Sequence, residues 1–388
     1  MNSDSDTYQK RLHKRYRQAA RFRIYAAGAL ALAVAFLIFF FYDMISKGYS
    51  AALQAHIQAD VSYSERSVEI PPLAVDEELR DLVSRGFLRM IPREVKDNPE
   101  LMGTTQTRWV VADDAVDQYL KGHYNKLSDA ETALVDRMKA QGRAELKLNT
   151  GLFTRGDSKM PEIAGLYSAL VGSMYVLLLT LLFAFPIGVM TAIYLEEFAP
   201  DNRFTQIIEI NINNLAAVPS ILFGLLGLAI FINFFGVPRS SALVGGLTLA
   251  LMTLPIIIIS TRAALRAVPD SIREGAFGVG ASRWQTVRDH VLPLALPGIL
   301  TGTIIGLAQA AGETAPLLIV GMIAFIPDAP SGVTEAATVL PAQIFTWAGM
   351  PERAYVERTA AGILVLLAVI LTLNGTALYL RKRLERRW

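Results

Sequence analysis

The chain contains no cysteine. That excludes a disulfide framework, a thiolate metal site and a thiol nucleophile. Histidine is scarce: His13, His56, His123 and His290 are scattered without ligand-like spacing, so no imidazole metal centre is expected. Charged residues make up only 19% of the chain, below the quarter or so of a soluble domain. The formal net charge is +2, so no global basic field points to nucleic acid. The pattern G-x-x-x-x-G-K-[ST] is absent, so any ATP hydrolysis linked to this chain must come from another polypeptide.

What is present is apolar sequence. Hydrophobic residues are 52% of the 388. A membrane helix needs about 20 mostly apolar residues. Ile24–Tyr42 is the first such run. A signal peptide is the competing reading, since a basic stretch precedes it. The run is long, its basic tail is long and no small-residue cleavage site follows, which favours an anchor. Further spans are expected at Leu166–Leu195, Asn211–Phe235, Ser241–Thr261, Leu294–Ile326 and Arg358–Leu380. The segment at 294–326 is too long for one straight crossing, so it is expected to be broken or to extend beyond the bilayer. Pro186, Pro219, Pro255 and Pro316 fall within or near spans, where neighbouring helices can satisfy freed backbone groups.

Lysine and arginine set the orientation. The tail at 1–23 holds Lys10, Arg11, Lys14, Arg15, Arg17, Arg21 and Arg23. The loop after the fourth span holds Arg262, Arg266, Arg273, Arg283 and Arg288, and the chain closes on RKRLERRW. These segments alternate correctly for six crossings with both termini in the cytoplasm. The first helix is then 24–42, and 43–162 is a polar extracytoplasmic segment. Within it, Ser128–Gln141 reads as a helix, opened by the capping box Ser128 and Glu131 and closed by Gly142. Glu77–Arg89 and Ala115–Tyr124 also read as helical, and Gln54–Tyr63 and Thr107–Val111 as extended. The expectation is a mixed α/β cap, with a sensor or docking surface as the sharper alternative. It carries no catalytic constellation.

The segment from Glu274 to Gly302, EGAFGVGASRWQTVRDHVLPLALPGILTG, reads as a short helix ending near Phe277. Gly278 and Gly280 allow a turn with positive φ. A second amphipathic helix follows over 282–290, and Leu292-Pro293 leads into the next span. Such an elbow suits insertion into a groove on a soluble partner, and equally a structural loop.

Glu274-Gly275-Ala276, Gly280, Val291 and Leu292-Pro293 resemble the "EAA" loop of ABC-importer permeases, with Gly275 where the family usually has Ala. NLAAVPSILFGLLGLAIF (214–231) and GETAPL (312–317) look like segments of PstA-type phosphate permeases. The resemblance covers most of 166–388 and implies an all-α, six-helix type I importer permease with an α/β extracytoplasmic domain inserted after the first helix. The permease domain would be 163–388, with its coupling loop at 263–293. Glu274, Gly275, Ala276, Gly280, Arg283, Leu292 and Pro293 would then couple to an ATPase. Pro219, Ser220, Gln309, Glu313 and Thr314 would lie along the translocation path. The implied partners are a PstC-type permease, a PstB-type ATPase dimer carrying ATP and Mg, a PstS-type binding protein and membrane lipid. No cofactor is expected on this chain.

Related phosphate permeases often place Arg four residues before this Glu, where this chain has Gln309. Spacing i, i+4 would put Gln309 and Glu313 on one helix face. A Glu at membrane depth is costly and is a functional candidate by default. Pairing with a cation of the partner permease would reconcile it with an anionic cargo. Competing classes are an importer of another oxyanion (sulfate or molybdate), a membrane sensor, and a self-powered secondary transporter. The last would show repeated span groups, and none is visible.

Overall fold

The computed structural model describes residues 2–322 and 325–384, with side chains described from Leu12 onward except at Leu380 and Leu384. The side chains of Lys10 and Arg11, positions 323–324 of the expected fifth span, and 385–388 of the basic C-terminus lie outside the described residues.

Helix α1 (Asn2–Gly48) encloses the expected first span. Its apolar stretch is exposed to its surroundings all round, including Leu30, Leu32, Phe36 and Phe39, which is how a lipid-facing helix reads. The chain then enters strand β1 (Leu53–Ser62). Ala55, Ile57, Ala59 and Val61 alternate into a core, the period of a half-buried strand. β1 pairs antiparallel on one side with β2 (Thr105–Val111) and on the other with β3 (Ala144–Leu148), giving the order β2-β1-β3. Between them lie α2 (Arg85–Asp97), α3 (Asp114–Leu120) and α4 (Asp129–Ala140). Leu82, Ile91, Val116 and Val135 fill the core of this α/β unit. In α4, the Ser128 hydroxyl accepts from the Glu131 N–H while the Glu131 carboxylate accepts from the Ser128 N–H, and Gly142 takes φ 68° just beyond.

Two helices here differ from the sequence reading. The helix expected over 77–89 is a single turn at Glu77–Leu79, followed by a fresh start at Arg85. Ser84 explains the restart: its hydroxyl accepts from the Gly86 and Phe87 N–H groups. The helix expected to reach Tyr124 stops at Leu120, and Gly122 follows with φ 74°. β3 was not anticipated from the sequence.

The rest is a helical bundle: α5 (Tyr167–Ile193), α6 (Arg203–Ala216), α7 (Ser220–Gly227, continued by a π-helical stretch to Phe234), α8 (Ala242–Arg266), α9 (Asp270–Gly278), α10 (Arg283–Gly312), α11 (Ala315–Ile319), α12 (Leu340–Ala348) and α13 (Ala354–Leu384). Among the described residues, five helices are long and apolar enough to cross a membrane, and α6 with α7, bent by 105°, passes the same test as a pair and would make a sixth.

That bend corrects the straight span expected over 211–235. Pro219 has no N–H to donate, and its ring excludes the carbonyl of Leu215, so α6 ends at Ala216. The same logic breaks the expected fifth span. Pro316 is incompatible with a helical Gly312 carbonyl, and α10 ends at Gly312. The last span begins at Ala354 rather than Arg358, and Arg358 is 1% exposed beneath the α/β unit.

Polar contacts join the α/β unit to the bundle. The Lys121 ammonium lies 2.6 Å from Glu357 on α13 and 2.6 Å from Asp117, and all three side chains are at most 5% exposed. The Ser50 hydroxyl donates to Glu357 at 2.8 Å, and Trp347 Nε1 donates to Asp157 at 2.8 Å. The Tyr355 hydroxyl donates to the Ser158 carbonyl at 2.6 Å. Burial raises the Asp157 carboxyl to about 6 and the Glu162 carboxyl to about 7.

Candidate functional site

At the other end of the bundle the elbow is built by local backbone chemistry. α9 ends in a Schellman motif: the Ala281 N–H donates to the Ala276 carbonyl at 3.0 Å and the Gly280 N–H to Phe277 at 2.9 Å. Gly280 takes φ 86°, a conformation open to glycine at no steric cost. Gly278 keeps negative φ, so one left-handed residue makes the turn. Ser282 then caps the next helix through a reciprocal box with Gln285. The separate second helix expected over 282–290 is corrected. From Arg283 the chain runs through a π-helical stretch at Thr286–Val291 straight into the span, as one 30-residue helix.

Ala276 is buried, whereas Glu274, Gly275, Gly280 and Arg283 are exposed, and Leu292 and Pro293 are half-buried. Open space surrounds Gly275, so the departure from Ala there costs no contact. Val279, at the tip, is 85% exposed.

Arginines pin the elbow to the ends of two spans. Arg273 on α9 binds Glu197 at 2.7 Å and donates to the Leu265 and Val268 carbonyls at 3.0 and 2.8 Å. It therefore clamps the end of α8 and the turn just after it, adding a second donor to the Leu265 carbonyl, which the Val268 N–H also meets. The Glu197 carboxylate raises the pKa of Arg273 above its ordinary value. Arg262 bridges Glu196 at 3.1 Å and Glu209 on α6 at 2.6 Å, and Arg266 meets Glu196 at 2.7 Å. Glu196, Glu197, Arg266 and Arg273 line a polar cavity of about 440 Å3, with Phe277, Arg283 and Thr286 also on its wall. The three glutamates were missed in the sequence. An acidic pair, Glu196-Glu197, closing a long apolar run was the available signal.

The residues expected along a path sit at the two breaks. Gln309 and Pro219 are exposed, while Ser220, Glu313 and Thr314 are half-buried. Glu313 lies past the end of α10 in extended backbone (φ −74°, ψ 133°). It does not share a helix face with Gln309, which corrects the i, i+4 expectation. The two breaks touch: a Cβ on Gly224 of α7 would lie 2.7 Å from Pro316 Cα, so glycine is what lets α7 and α11 meet. Ala216, Ala217, Pro219 and Gly312 are exposed around these breaks. Non-helical backbone at membrane depth is tolerated only inside protein or beside water, so this surface does not face lipid. Among the described residues, no group of three or more histidine and acidic side chains is placed to hold a metal.

Residues 184–387 match the family model of the binding-protein-dependent transport system inner membrane component. Residues 9–78 and 69–130 match a domain of unknown function, DUF3333. The chain is 33% identical to the phosphate transport system permease protein PstA 1 of Mycobacterium tuberculosis, over 59% of this chain and 75% of that protein. It is 29% identical to a probable ABC transporter permease protein, YqgI, of Bacillus subtilis, over 60% of this chain and 85% of that protein. Among solved structures it overlays on an inward-facing methionine ABC transporter, MetNI, with TM-score 0.45 and 20% identity, over 57% of this chain and 98% of that one.

Proposed function

We propose that this chain, which belongs to the binding-protein-dependent transport system inner membrane component family, carries phosphate. Membership makes it a multi-pass permease subunit of an ABC importer in the bacterial inner membrane, a transporter component and not an enzyme. Such permeases work with a separate ATPase and a periplasmic binding protein. The observation that carries the phosphate reading is the identity with PstA 1, a protein named for phosphate transport, across three quarters of its length.

In this reading the partners are a PstC-type permease, a PstB-type ATPase dimer holding ATP and Mg, and a PstS-type binding protein. Both termini and the elbow face the ATPase, and the α/β unit faces outward. Closure of the ATPase dimer pushes on Glu274–Pro293, and Arg273 passes the push to α5 and α8 through Glu197 and the Leu265 carbonyl. The two touching breaks, with Pro219, Ser220, Gln309, Glu313 and Thr314 around them, respond as the gate. Glu313 pairs with a cation of the second permease.

Uptake of labelled phosphate in a strain lacking this gene, with sulfate as control, tests the cargo. The expected result is loss of high-affinity phosphate uptake alone. Selective loss of sulfate uptake would instead support the other-oxyanion reading.

A further inference from the structure

We propose that Asn211 and Asn214 line the route of the anion and donate amide N–H groups to it as it passes the bend between α6 and α7. This rests on the importer reading above and adds residues to it.

α6 packs through a narrow stripe. Thr205 and Ile212 are buried, with Ile208 and Glu209 half-buried between them, the spacing of one helix face. Ile212 sits in a cluster with Ile258 of α8, Ala192 at the end of α5 and Leu195 in the π-helical turn that follows it. That fixes its level near the elbow end of the spanning bundle, about one turn inward of the Arg262 pairs with Glu196 and Glu209. Asn211 and Asn214, three residues apart and on either side of Ile212, are exposed at this level. One Asn211 N–H returns to the Ile207 carbonyl at 2.8 Å, leaving a second N–H free. The Asn214 side chain makes no hydrogen bond among the described residues.

An amide facing hydrocarbon with unmet hydrogen bonds is costly, so this face meets water or protein rather than lipid tails. It runs directly into the bend at Pro219, whose far side touches the second break through Gly224 and Pro316. Gln309, one turn before that second break, presents another exposed amide. Neutral donors suit transit. They satisfy an oxyanion's acceptors without the grip of a bidentate guanidinium, and a conducted ion must also leave.

The test uses the full importer reconstituted in vesicles with its ATPase and binding protein, and labelled phosphate as probe. The paired variant N211A/N214A is expected to lower the uptake rate about tenfold or more, since hydrogen bonds to a charged group are worth that much in rate. The paired variant N211Q/N214Q, which keeps the amides, is expected to retain most uptake. Complexes of both should purify with the wild-type subunit ratio. Wild-type uptake by N211A/N214A, or by N211L/N214L, would overturn the proposal, because lipid-facing positions accept leucine. Loss of the second permease from the purified N211A/N214A complex would also overturn it, making the amides interchain glue. If wild-type vesicles carry sulfate and not phosphate, the cargo reading fails while the same variants still test the asparagines with sulfate.

Discussion

The two ends of the bundle are held by ion pairs that differ in how completely they are buried. At the α/β unit, Lys121, Asp117 and Glu357 form an ion cluster at most 5% exposed, backed by the Trp347–Asp157 and Tyr355–Ser158 hydrogen bonds. At the elbow, the Arg273–Glu197 and Arg266–Glu196 pairs border a polar cavity; Arg273 and Glu197 are 17% and 9% exposed, and Arg266 is 60% exposed. Separating a pair costs more the more completely it is buried, and a partly solvated one beside a polar cavity can exchange partners with water at lower cost. The α/β unit is therefore fixed to α13 as a rigid extension, while the elbow is pinned but able to shift. A coupling device requires that asymmetry.

The largest expected effect comes from breaking the fixed end. K121A leaves Asp117 and Glu357 buried without their cation, and should destabilise the folded chain by about 3–5 kcal/mol. Thermal unfolding in detergent would read it. A wild-type melting temperature would mean that the two ends do not differ as described.

A smaller loss of stability is expected at the elbow. R273A unpairs Glu197 and the Val268 carbonyl and removes one donor from the Leu265 carbonyl, costing about 1–3 kcal/mol. Its main consequence should be uncoupling: ATP hydrolysis by the assembled complex continues while transport per ATP falls. An unchanged ratio of transport to hydrolysis would remove Arg273 from the coupling route.

A third effect concerns pH. Burial raises Glu162 from 4.5 to about 7, so the folded chain keeps a proton that the unfolded chain releases. Stability from this group is therefore fully present at low pH and falls as pH rises from about 4.5 through about 7. Unfolding of E162Q across that range should lose this part of the slope. A slope identical to wild type would place the titration elsewhere.

Local chemistry was legible in the sequence and distant pairing was not. The Gly280 turn and the Ser128–Glu131 box are set by residues a few positions apart, and both stand where the spacing puts them. Arg273 and Glu197 meet across 76 residues, and no periodicity announces that contact. The breaks were half legible. Proline marks both, yet Pro186, Pro255 and Pro297 sit inside intact helices. What separates the cases is packing: Pro316 stands against Gly224, a contact between segments about ninety residues apart in the chain. For the same reason i, i+4 spacing misled at Gln309 and Glu313, where the helix ends between them.

The side of the membrane occupied by the elbow decides the account. The absence of native cysteine makes V279C a single reporter at the 85% exposed tip. A membrane-impermeant maleimide should label it in inside-out vesicles stripped of the ATPase, and not in intact spheroplasts, with labelling blocked when the ATPase is restored. Labelling in intact spheroplasts would contradict the account, because an elbow on that face cannot meet an engine driven by cytoplasmic ATP.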